Sequence, residues 1–73
     1  MTTQDLIDKA KAGHEIVLEP REYFSQVVLS FANGGFWLNF YLNDNAWIEH
    51  TCWLGHEIVA RSYLEHKSLI EIR

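Results

Sequence analysis

Residues 26–43 read Gln-Val-Val-Leu-Ser-Phe-Ala-Asn-Gly-Gly-Phe-Trp-Leu-Asn-Phe-Tyr-Leu-Asn, and the reading of this stretch decides the fold. Asn33-Gly34 is a strong two-residue hairpin signal, because a type I′ turn needs positive φ at both central positions. With those two in the loop, Ala32 stands opposite Gly35, Phe31 opposite Phe36, Leu29 opposite Leu38 and Val27 opposite Phe40. The phenylalanine, leucine and valine pairs share one face of the ribbon. The other face receives Val28 with Asn39, Ser30 with Trp37 and Gln26 with Tyr41. A slip of one residue would turn the apolar set outward, so turn chemistry and hydrophobic period agree on one register.

Working upstream, Thr2 followed by Asp5 matches a capping box. Asp5 and Asp8 come early and Lys9 and Lys11 late, as the helix dipole favours, and Gly13 supplies a left-handed stop. The spacing predicts a helix from about Thr3 to Ala12, with Leu6, Ile7 and Ala10 as its narrow apolar side. His14 to Glu19 reads as a strand, Ile16 and Leu18 on one side and Val17 on the other. Pro20 marks a sheet edge or a bend. From Pro20 to Phe31 two readings compete: a helix burying Phe24, Val27, Val28 and Phe31, or a strand with Tyr23, Val27, Leu29 and Phe31 on one face. The strand is preferred, because the Asn-Gly turn needs a partner for Phe36 to Leu42.

Downstream, Asn43-Asp44-Asn45 is a second turn cluster, followed by a strand from Trp47 to Leu54. An odd-numbered loop puts Ile48, His50, Cys52 and Leu54 on the core side with Phe36, Leu38, Phe40 and Leu42. Gly55 breaks the run. Glu57, Arg61 and Glu65 then recur at i, i+4 spacing opposite Val59, Ala60, Tyr63 and Leu64, predicting an amphipathic helix over His56 to His66. A strand from Glu57 to Leu64 is the alternative. Leu69 to Arg73 alternates as a last strand, Ile70 and Ile72 inward. The expected fold is one small α+β domain over residues 1–73: an antiparallel β-meander of four to five strands, a short N-terminal helix and a second helix near residues 56–66.

The chain has 73 residues and formal net charge −4. A domain this small buries roughly 60% of its unfolded surface, and its core rarely supplies more than about 3–5 kcal/mol of net stability. The single cysteine, Cys52, rules out an internal disulfide, so a homodimer or higher oligomer, or docking on a partner, is the expected source of extra stability. One cysteine, no leader-like segment and no long apolar run point to the cytoplasm and away from a membrane. Six Lys and Arg scattered among ten Asp and Glu argue against direct nucleic-acid binding.

The second sheet face gathers Trp37, Asn39, Tyr41, Trp47, Glu49, Thr51 and Trp53, an aromatic surface of unusual size for a small protein. Trp and Tyr suit binding hot spots, since each offers a large apolar area with a polar tip. The bland alternative has the two helices cover one face each, making these rings core. His50 and Cys52 point the same way, with His14 and His56 as further zinc donors, but the paired close spacing of structural zinc sites is missing. A Cys52–His50 dyad falls among core positions, where a thiol is inert. Glu49 is the one acid with aromatic neighbours; Glu15, Glu19 and Glu22 read as a solvated strand edge.

No cofactor or metal is expected, and no enzyme. The expectation is a non-catalytic, acidic binding protein that docks on another protein and inhibits it through the aromatic face. In size and charge, though in no motif, this is the style of immunity proteins and of phage or mobile-element anti-defence inhibitors, anti-CRISPR proteins included. The alternative is a homo-oligomer that stacks a nucleobase-type small molecule between its rings.

Overall fold

The computed structural model describes residues 1–20, 26–42 and 48–73, with every side chain there except those of Ile48 and Glu49. In chain order lie α1 (Thr3–Lys11), β1 (Ile16–Leu18), β2 (Gln26–Ala32), β3 (Gly35–Tyr41), β4 (Ile48–Gly55), α2 (Glu57–Glu65) and β5 (Leu69–Ile72). The strands form a five-stranded sheet in the order β4-β3-β2-β1-β5, antiparallel at every pairing. This is the expected α+β meander with a fifth strand returning beside the first.

At the β2–β3 reversal Asn33 has φ 53° and Gly34 φ 80°, the left-handed pair that the turn requires. The ladder runs from Ala32↔Gly35 to Gln26↔Tyr41 with each pair in the expected place. Phe31 and Phe36 meet edge to face, their ring centroids 5.0 Å apart. Residues 26–32 are therefore strand and not helix. Tyr23 and Phe24 lie outside the described residues.

The capping box at α1 forms as read: the Asp5 amide donates to Thr2 Oγ1 at 3.1 Å and the Thr2 amide to Asp5 Oδ2 at 2.9 Å. Leu6, Ile7 and Ala10 are buried. They join Ala60 and Leu64 of α2 and the inward side chains of β1, β2 and β3 in one core cluster. Both helices thus lie on the same face of the sheet. That face offers an unbroken apolar set of Ile16, Leu18, Val27, Leu29, Phe36, Leu38 and Phe40, whereas the other mixes Val17, Val28, Trp37 and Trp53 with the polar Ser30, Asn39 and Thr51, so the helices' apolar stripes gain most by sharing the first. Lys11 Nζ meets Glu57 Oε1 at 2.6 Å and Arg61 Nη2 meets Glu57 Oε2 at 3.0 Å. Arg61 also donates to Gln4 Oε1, so the helices are clamped along their seam.

Several expectations need correction. Residues 42–47 join β3 to β4, an even number where the face map asked for an odd one. A register shift at Glu49 supplies the extra residue: Tyr41 pairs with Ile48 but Phe40 with His50, and from His50 onward the expected faces hold. Ile48 thus stands opposite Tyr41, and Leu42, assigned to the core, lies beyond the ladder and is 40% exposed. Glu15 and Glu19 do not flank a free edge, because β5 pairs with β1 and their backbones bond to Arg73 and Ser68. A second irregularity there pairs Leu18 with Leu69 and Val17 with Glu71. It leaves Ile70, expected inward, 60% exposed. In α2, helical as preferred, Val59 also faces outward.

Two measurements follow. Gly34→Ala should lower unfolding free energy by about 1–2 kcal/mol, the cost of a side chain in left-handed backbone, with an unchanged urea m-value. The Glu57 carboxyl is held below its ordinary range by hydrogen bonds from Lys11 and Arg61, and Asp5 likewise by Thr2. A depressed carboxyl stabilises the fold above its unfolded pKa, and that contribution is lost as pH falls through the folded one. Stability should therefore drop below about pH 4, and Glu57→Gln should flatten part of that acid limb in denaturant titrations.

Candidate binding surface

The sheet face turned away from the helices is assembled by the register of β2, β3 and β4. Trp37 stands opposite Trp53, and Asn39 opposite Thr51. The two indoles touch, with ring centroids 4.5 Å apart and planes at 60°. Trp37 Nε1 donates to the Ala32 carbonyl at 2.9 Å, which satisfies the indole N–H and fixes the ring toward the hairpin end of the sheet.

Trp53 is held differently. Gly35 lies on the same face, and a methyl added there would run into Trp53 Cη2, so the indole rests on the bare backbone of β3. At Gly55, with φ 73°, an added side-chain carbon would come within 3.3 Å of Trp53 Nε1, so this glycine too leaves room beside the ring. A register shift at Leu54 makes this possible, since it sets Gly55 opposite Phe36 while Trp53 keeps its place opposite Trp37. Supported from below, the ring is still 49% exposed.

Beside the indoles runs a polar band. Thr51 Oγ1 donates to Asn39 Oδ1 at 3.2 Å, and Asn39 Nδ2 donates to Ser30 Oγ at 3.2 Å, linking three strands through side chains. Tyr41, half-buried, lies beyond this band. Val17 and Val28 face each other across β1 and β2 on this same side and are buried. Of the seven residues assigned to the surface, Trp37, Asn39, Tyr41, Thr51 and Trp53 share the face. Trp47 and the side chain of Glu49 lie outside the described residues.

The other candidates separate. His50 takes its core-side position opposite Phe40, its ring 5.7 Å from the phenyl centroid, yet on the edge strand it is exposed instead of packed. Cys52 is half-buried against the core. His14 Nδ1 is engaged with the Arg73 carbonyl at 3.0 Å at the far side of the sheet. Among the described residues no three His, Cys, Asp or Glu gather as a metal site, and no helix is long and apolar enough to cross a membrane. Sequence reading missed the seat that Gly35 provides for Trp53. The signal was present, since Gly35 falls on the aromatic face one position beyond the turn.

No family model, curated protein or solved structure matches the chain.

The seat is open to test. Gly35→Ala should push the Trp53 ring off the sheet, altering the near-ultraviolet circular dichroism and red-shifting tryptophan emission. Loss of the ring contact should cost about 1 kcal/mol. An unaltered aromatic spectrum would place Trp53 elsewhere.

Proposed function

We propose that this chain is a small, acidic, non-catalytic protein that docks on another protein through the face carrying Trp37, Trp53, Asn39, Thr51 and Tyr41, and inhibits it. One observation carries the reading: a half-exposed tryptophan pre-set against a glycine seat and a second indole, on the sheet face opposite both helices. A ring already fixed in its rotamer loses little freedom on binding, so more of its buried area appears as affinity. The Thr51–Asn39–Ser30 band would then set orientation, its donors and acceptors surrounding the apolar anchor as in a typical interface rim. With net charge −4, the chain suits a partner whose surface is cationic around an apolar socket.

The planar-ligand alternative draws less support. A base-stacking slot needs two roughly parallel rings held apart, whereas Trp37 and Trp53 meet at 60° and 4.5 Å and fill the space between them. Thermal-shift measurements against nucleobases and nucleotides should stay flat.

The docking reading is tested by capturing partners on immobilised protein and measuring the affinity of each for variants. Trp53→Ala should weaken binding about 30-fold or more, equivalent to roughly 2 kcal/mol, while far-ultraviolet circular dichroism stays unchanged. Thr51→Arg, on the same exposed face, should act likewise. Capture of no partner, or a partner indifferent to both changes, contradicts the reading.

A further inference from the structure

We propose that the free edge of β4 pairs antiparallel with β4 of a second copy, about a two-fold axis beside Cys52, joining two five-stranded sheets into one. β4 and β5 are the outer strands of the sheet. β5 is four residues long and carries Glu71 and Arg73, paired at 3.4 Å, the kind of charge that keeps a bare edge from finding another strand. β4 is eight residues long, and its stretch from His50 to Leu54 holds no acid, lysine, arginine or proline. One edge is guarded and the other is not.

The turn fixes which backbone groups the β4 edge offers. Ala32 and Gly35 flank a two-residue loop and exchange both hydrogen bonds, and opposite residues then alternate along the ladder. Trp37 and Asn39 accordingly bond to β2, and Leu38 and Phe40 to β4. On β4, His50 and Cys52 therefore turn their amides and carbonyls to β3, while those of Thr51 and Trp53 point outward. No described residue bonds to them. An extended strand is what satisfies such a row. Outward groups must meet outward groups, so a two-fold axis has to pass beside a residue and not between two. Centred on Cys52, it sets Thr51 of each copy against Trp53 of the other and makes four backbone hydrogen bonds. A small side chain then stands beside each indole, and neither copy brings a charge. Centring on Trp53 would crowd both indoles together and carry Thr51 onto the left-handed Gly55. Centring on Thr51 would carry Trp53 past the register shift at Glu49.

The occupant is a second copy, and not a loose strand, because of what lies above the edge. α2 packs over β3 and β4 and turns Glu57 and Arg61 toward α1. By helical spacing Val59 and Tyr63 lie on its other flank, above the free edge, and Val59 is 45% exposed. The two-fold brings these flanks together over the joined strands, whereas a lone strand would leave them open. The pairing stands without the docking reading and adds to its surface, since Thr51 of the second copy becomes a neighbour of Trp53.

Sedimentation velocity from about 10 μM to about 1 mM covers the affinities that so short a ladder gives. The chain alone should pass from monomer to dimer, with no larger species. Thr51→Pro removes an outward N–H that a single copy leaves unused, at an edge position where proline is tolerated. It should abolish the dimer with far-ultraviolet circular dichroism unchanged. In the wild type, exchange of the Thr51 and Trp53 amides should slow about tenfold from the lowest to the highest concentration. Facing Cys52 residues would have Cα atoms about 4.5 Å apart, within disulfide reach. Diamide, which takes up the two thiol hydrogens, should therefore link the wild-type dimer covalently and leave Thr51→Pro monomeric. A chain monomeric throughout overturns the proposal and leaves the β4 edge to a strand of another protein. So does a dimer that survives Thr51→Pro, or one whose Thr51 and Trp53 amides exchange as fast as in the monomer. None of these readouts involves a docking partner, so their failure leaves the docking reading standing.

Discussion

The reversal at Asn33-Gly34 is the constraint on which the other arrangements rest. Two residues in left-handed backbone match the natural twist of the paired strands, and they leave β2 and β3 one way to align. That alignment sends Val27, Leu29, Phe31, Phe36, Leu38 and Phe40 to one side. It simultaneously puts Ser30, Trp37 and Asn39 on the other. Every later choice inherits this division. β4 adds to the ribbon with its own alternation adjusted by two register shifts, and both helices go where apolar surface is concentrated.

The sharing of one face by two helices has an energetic cause and a functional consequence. Neither helix is long enough to persist alone in water, so each depends on its buried stripe. The apolar side of the sheet accepts both, and the Lys11–Glu57–Arg61 clamp joins them across their seam. Among the described residues two layers result, and the opposite sheet face carries the indoles and hydrogen-bonded polar side chains beside the buried pair Val17 and Val28. The proposed docking role would need such a surface on a rigid element, and a hairpin with a defined register provides the rigidity.

Much of this was legible in the residues. Thr2 and Asp5, the Asn-Gly turn, the pairing of Leu29 with Leu38, and the i, i+4 row of Glu57 and Arg61 each name a local geometry that alternatives cannot satisfy equally well. The misses share a physical origin. The register shifts between Phe40 and Tyr41 and between Val17 and Leu18 absorb one residue each without any composition signal, so simple alternation misjudged the parity of the β3–β4 connection and turned Ile70 inward. Val59 was harder, because an apolar residue on a helix is read as core until the neighbouring elements are placed. The helix arrangement itself was within reach: the register already showed Ser30, Asn39 and Gln26 opposite the apolar face, which makes that side a poor bed for Leu6, Ile7 or Leu64.

The surface thus depends on a chain of dependent steps, from a two-residue turn to a strand register to a pair of touching indoles on the face opposite α1 and α2. The most direct test is a nuclear Overhauser spectrum of the free protein in solution. Cross-peaks between the Trp37 and Trp53 ring protons, and from Trp53 to the Gly35 α-protons, are expected, with none from either indole to Leu6, Ile7, Ala60 or Leu64. Indole cross-peaks to those helix residues would place the rings inside the core and contradict the account.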